Sequence, residues 1–110
     1  MRTRNILLAS LLIALCGCQP DTSNKPADWQ LADNTGCFMC HKTGKNLLGP
    51  AWESVAERYR NNPDAEAHLM NKILNGCAGA WVDKDMPAYD ESLLTTPNRK
   101  ILVKYIMSLK

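Results

Sequence analysis

Cys37-Phe38-Met39-Cys40-His41 is the stretch on which the reading of this chain turns. Two thiols three residues apart on a helical turn face the same side, and an imidazole follows directly. A zinc site needs about four ligands, and downstream of this pentapeptide only His68 and Cys77 remain, with no second closely spaced pair. A thioredoxin-like redox pair belongs to a fold of strands alternating with helices, and no run here keeps a two-residue period long enough for a sheet. A disulfide across two residues is open to an exported protein, yet it gives the histidine no task. The spacing is instead that of covalent haem attachment: both thiols form thioethers to vinyl groups on one porphyrin edge, and His41 turns its imidazole to the iron. A tethered apolar plate also gives a short chain the core it lacks.

Around that pentapeptide the chain is sized for one such centre. Its 110 residues suffice for one domain, with a single Phe and no sign of a polytopic membrane protein. Four short helices are expected, joined by long loops, and the class is all-α. The first, Asp28 to Thr35, stops at Gly36. The second follows Pro50, repeats Ala51, Val55 and Tyr59 every four residues, and ends at Asn61 and Asn62. For the third, Asn62 is the expected N-cap and Pro63 the first helical residue, with Asp64 and Glu66 where the dipole favours acid. Its apolar face is Ala65, Leu69 and Ile73, and Gly76 ends it. The last opens at Thr96 and Pro97, is expected to pack on the first, and puts Ile101, Leu102, Tyr105, Ile106 and Leu109 on one face.

The sixth position on the iron separates a carrier from a catalyst or gas binder, and Met86 is the candidate for it. It lies in a loop, Asp83 to Tyr89, and is followed by the stiffening Pro87. Met39 sits inside the attachment motif, while Met70 and Met107 lie on helices, where packing is the ordinary role. His68 is read as a solvated mid-helix residue. Histidine and methionine together fill both axial places and raise the potential. The rival reading is a haem subunit or sensor from whose iron Met86 is absent or leaves.

The N-terminus reads as an export signal: Arg2 and Arg4 precede an apolar run from Ile6 to Leu15, shorter than the ~20 residues of a spanning helix. Leu15-Cys16-Gly17-Cys18 resembles a bacterial lipobox, which makes Cys18 the lipidated residue and 1–17 the leader. Residues 18–27 form a lipidated tether and 28–110 the folded domain. Gln19 stands where an inner-membrane retention signal has Asp, so the outer membrane is favoured. Removing Arg2 and Arg4 takes the balance from 13 basic against 11 acidic residues to 11 against 11. With no basic patch left, nucleic acid is not an expected partner.

From Asp28 to Lys110 the chain resembles the small bacterial class I c-type cytochromes of the c551 type. The resemblance rests on Cys37 to His41, on Leu48-Gly49-Pro50-Ala51, on Ile73-Leu74-Asn75-Gly76, on Trp81, on Met86-Pro87, and on the 45 positions from His41 to Met86. It implies a monomeric one-electron carrier with one haem c, ligated by His41 and Met86, working with redox proteins on the periplasmic side. It also implies that the Pro50 carbonyl accepts a hydrogen bond from the far nitrogen of His41, orienting the ring. Trp81, and Lys72 in place of the usual Arg, would hold a haem propionate. Lys42, Lys45 and Lys84 offer a positive rim. The chain departs from the family at Cys77, an odd thiol read as a small half-buried residue or an intermolecular disulfide. Tyr89 replaces a side-chain amide near the sulfur, Val82 replaces a glycine, and 90–96 is longer than usual.

Overall fold

Proline and glycine set the limits of the elements in the computed structural model, which describes residues 21, 23–79, 81 and 84–110. The expected leader 1–17, Cys18, Gln19, Val82 and Asp83 lie outside the described residues. Helix α1 (Ala27–Asn34) starts behind Pro26, carries Asp28 in its first turn, and gives way to Gly36 at φ +81°. Helix α2 (Trp52–Tyr59) follows Pro50 and Ala51, with Glu53 at its start and Arg58 at its end, both matched to the helix dipole. Helix α3 (Ala65–Asn75) ends at Gly76, and α4 (Thr96–Ser108) has proline in its first turn.

Helix α3 begins at Ala65, later than the expected Pro63. Asn62 makes a turn of its own instead: its Oδ1 accepts from Asp64 N at 2.9 Å and its carbonyl from Ala65 N at 3.1 Å. The asparagine thus caps a turn ahead of the helix rather than the helix itself.

Helix α4 is the spine, packed against α1, α2 and α3. Leu102 and Val103 are its fully buried side chains, and the core continues through Ala32 of α1, Trp52 and Val55 of α2, and Leu69 and Ile73 of α3. The buried face of α4 differs from the expected one. Ile101 is exposed, and the inward set is Arg99, Leu102, Val103 and Ile106, which follows the 3-4-7 spacing of one helical stripe. An arginine in that stripe hides the pattern from a reading by hydropathy. Among the described residues the only β-type pairing is the isolated bridge between Cys77 and Met86, so the fold is all-α.

Candidate functional site

The attachment pentapeptide begins where Gly36 turns the chain out of α1 into a single 3₁₀ turn, Cys37–Met39. His41 N donates to Cys37 O at 2.9 Å, closing the turn. Cys37, Cys40 and His41 then line one apolar cavity, Phe38 packs between Trp29 and Trp52 at 4.8 and 4.9 Å between ring centres, and Met39 is exposed. Burial pushes the Cys37 thiol up to about 11. A reactive thiol needs the opposite shift, so Cys37 is not poised as a nucleophilic thiolate.

The segment from Lys42 to Ala51 exists to hold the imidazole. Gly49 N donates to Cys40 O at 2.8 Å, Trp52 N to Lys42 O at 3.1 Å, and Ala51 N to Asn46 Oδ1 at 2.8 Å. Folded this way, the loop brings the Pro50 carbonyl to 2.9 Å from His41 Nδ1, which donates to it. The Trp52 ring stacks on the imidazole at 5.8 Å and 23°. Burial lowers the His41 pKa, partly offset by the bond to Pro50, so the ring is neutral near pH 7 with its Nε2 lone pair available to a metal. Trp52 has this role without having been singled out in the sequence; its signal was an aromatic directly behind Gly49-Pro50-Ala51.

Met86 reaches the same cavity from the connection between α3 and α4. Its N donates to Cys77 O at 2.8 Å and its carbonyl accepts from Cys77 N at 3.1 Å. Cys77 is half-buried and holds the Met86 segment through its backbone. Gly76, at φ +71°, makes that approach possible, because a Cβ there would stand 2.5 Å from Met86 O and 3.0 Å from Ala88 N. Tyr89 N donates to Ile73 O at 2.8 Å, so the segment is tied to Cys77 at Met86 and to α3 at Tyr89.

Lys72 and Trp81 also line the cavity. The Arg58 guanidinium lies 4.3 Å over the Trp81 ring, a cation–π contact that covers it from outside. His68 is not simply solvated: it is half-buried, with Nε2 3.2 Å from the Tyr59 hydroxyl and the two rings 5.0 Å apart.

The donor set fits a haem. Among the described residues no group of three or more His, Cys, Asp and Glu is placed to hold a metal ion, and a porphyrin would bring the iron's equatorial donors with it. The chain contributes two thiols, a neutral imidazole and a thioether, and walls of Val55, Leu69, Ile73, Leu94 and Leu102 suited to a flat apolar ring.

An all-α domain that offers this set to one apolar cavity defines the class of monohaem electron-transfer proteins. The cytochrome c family model matches residues 29–110, and the chain belongs to that family. It is similar to cytochrome c-552 of Hydrogenobacter thermophilus, at 35% identity over 91% of this chain and 96% of the relative. It is also similar to cytochrome c-551 of Pseudomonas aeruginosa, at 32% over 73% of this chain and 74% of the relative. The crystal structure of Nitrosomonas europaea cytochrome c552 superposes with a TM-score of 0.68 at 30% identity, covering 74% of this chain and 99% of that one. The chain is therefore a small class I c-type cytochrome with one covalently attached haem c, an electron carrier that works with redox partner proteins rather than an enzyme.

Proposed function

We propose that Cys37 and Cys40 carry the haem through two thioethers, that His41 and Met86 are its axial ligands, and that the domain passes single electrons within a periplasmic respiratory chain. The supporting observation is the meeting of the Cys37–His41 turn and the Met86 loop at one apolar cavity. When bound, the haem supplies a ferrous–ferric couple. The bond from Nδ1 to Pro50 O fixes the His41 tautomer and its orientation. Met86 contributes a weak neutral donor, which raises the potential and leaves no open place for a substrate. Lys72 and Trp81 bring an ammonium and an indole N–H suited to propionate carboxylates.

Replacing Met86 by Ala tests the assignment. The expected result is loss of the long-wavelength absorption of sulfur-ligated ferric iron and rapid carbon monoxide binding by the ferrous form, to which the natural protein responds little. An unchanged spectrum removes Met86 from the iron.

The domain 28–110 is held at the membrane by acyl chains on Cys18, with 18–27 as the tether, and the outer membrane is the favoured site because Gln19 follows Cys18. The support is the sequence pattern from Arg2 to Cys18. Each buried acyl methylene contributes about 0.8 kcal/mol, so more than one chain is needed for stable anchoring. Among the described residues no helix is long and apolar enough to cross a membrane. Replacing Cys18 by Ser should move the protein from the membrane fraction to the soluble periplasm; retention on the membrane would refute the anchor.

A further inference from the structure

Arg99 is the buried charged side chain of the described core, 2% exposed on the inner face of α4. Its guanidinium is aimed at main-chain oxygens rather than at a matched acid. Nη2 donates to Leu94 O at 2.7 Å and to Tyr89 O at 3.2 Å, and Nη1 donates to Thr96 Oγ1 at 3.3 Å. Among the described residues Glu91 is the only carboxylate paired with it, at 3.4 Å with an acid side chain 60% exposed, which leaves that ion pair little weight. Nε has no partner among the described residues. A buried cation is stabilising only through the bonds it makes, and these bonds converge on the single segment between Tyr89 and Thr96.

That segment leads directly out of the ligand loop. Tyr89 is three residues beyond Met86, and its N–H is already held by Ile73 O of α3 at 2.8 Å. Arg99 takes the carbonyl of the same residue. The Tyr89 residue is therefore gripped by α3 on its N–H and by α4 on its C=O, while Met86 is bridged to Cys77. Residues 90–96, longer than the resemblance leads one to expect, are the stretch that Arg99 folds back onto α4.

We propose that Arg99 is a positioning residue for the Met86 sulfur: by fixing the Tyr89 carbonyl it sets how often the ligand loop opens and the sulfur leaves the iron. The proposal rests on Met86 being the sixth ligand. A lysine has no planar fork with which to reach two carbonyls and a hydroxyl at once, so charge alone does not replace it.

The test uses the ferric holoprotein of the full chain mixed with imidazole, following displacement of the sulfur through loss of its long-wavelength absorption. R99Q is compared with V103A, which trims a buried side chain of the same helix that neither bonds to the loop nor lines the cavity. Both are studied where they are fully folded. R99Q should speed displacement about tenfold, the scale set by losing charge-assisted hydrogen bonds to two loop carbonyls. V103A, matched or greater in its loss of thermal stability, should leave the rate unchanged. No acceleration in R99Q, or equal acceleration in both, overturns the proposal. If R99Q does not fold, R99K is read against the same control and decided by the same two outcomes. M86A separates the premise from the proposal, since persistence of the sulfur absorption in that variant removes the ligand itself and not merely its positioning.

Discussion

A Cβ added at residue 49 would stand 2.7 Å from Cε1, 2.9 Å from Nδ1 and 3.1 Å from Nε2 of His41. The ring has no room to withdraw, because Trp52 stacks on it and Pro50 holds Nδ1. Gly49→Ala is therefore an overpacking change on the His41 ring, expected to destabilise by about 1–3 kcal/mol and, with His41 as the proposed ligand, to alter the absorption spectrum of the holoprotein. Urea unfolding followed at the haem bands checks both. Gly76 plays the corresponding part for Met86 but adds a left-handed backbone, φ +71°. Its alanine variant meets strain of about 1–3 kcal/mol from conformation as well as the contact with Met86 O, so it should be the more damaging, and its defect should appear in the sulfur absorption first.

Helix α4 begins under a side-chain cap supplied from outside it. Glu91 accepts from Thr96 N at 2.8 Å and from Thr96 Oγ1 at 2.9 Å, and Asp90 accepts from the N–H groups of Ser92 and Leu93. These bonds hold both carboxyls below their usual pKa, Thr96 being the main cause for Glu91 and Ser92 for Asp90. A carboxyl depressed by folding stabilises above its unfolded pKa and loses that contribution as the pH falls through the folded value. Stability should therefore decline as the pH drops below the usual glutamate value of 4.5, and Glu91→Gln should flatten that limb of the curve in thermal melts. The helices themselves were legible as hydrophobic stripes, with Gly36 and Gly76 closing α1 and α3 and Pro97 opening α4, and the pentapeptide and Met86, both read from the sequence, line one cavity. The clamp was not: Glu91 lies in a polar loop and Arg99 reads as a break in an apolar face. Glu91 accepts from Thr96, and Arg99 donates to the Tyr89 and Leu94 carbonyls and the Thr96 hydroxyl, partners brought into place only by the tertiary fold. His68 was hidden for the same reason, since its partner Tyr59 sits on another helix.

For the whole domain, the basic groups near the cavity bear on how partners arrive. Lys84 and Lys72 line it, and Lys45 is exposed on the neighbouring loop, while the full sequence is near balance at 13 basic and 11 acidic residues. Attraction to an acidic partner would then come from a local rim rather than from net charge, and would be screened beyond about 8–10 Å at physiological salt. Electron exchange with such a partner should slow steeply as ionic strength rises; stopped-flow rates that do not change with salt would remove the rim from the account. The aromatic packing has an optical consequence as well. Trp52 lies against His41, Trp81 lines the cavity, and Trp29 is one ring further out through Phe38, which accounts for all three tryptophans of the chain. With the pigment in place their emission should be quenched together, so the native protein is dark under ultraviolet excitation and brightens as the polypeptide comes apart, a built-in lamp for following its unfolding without any added dye.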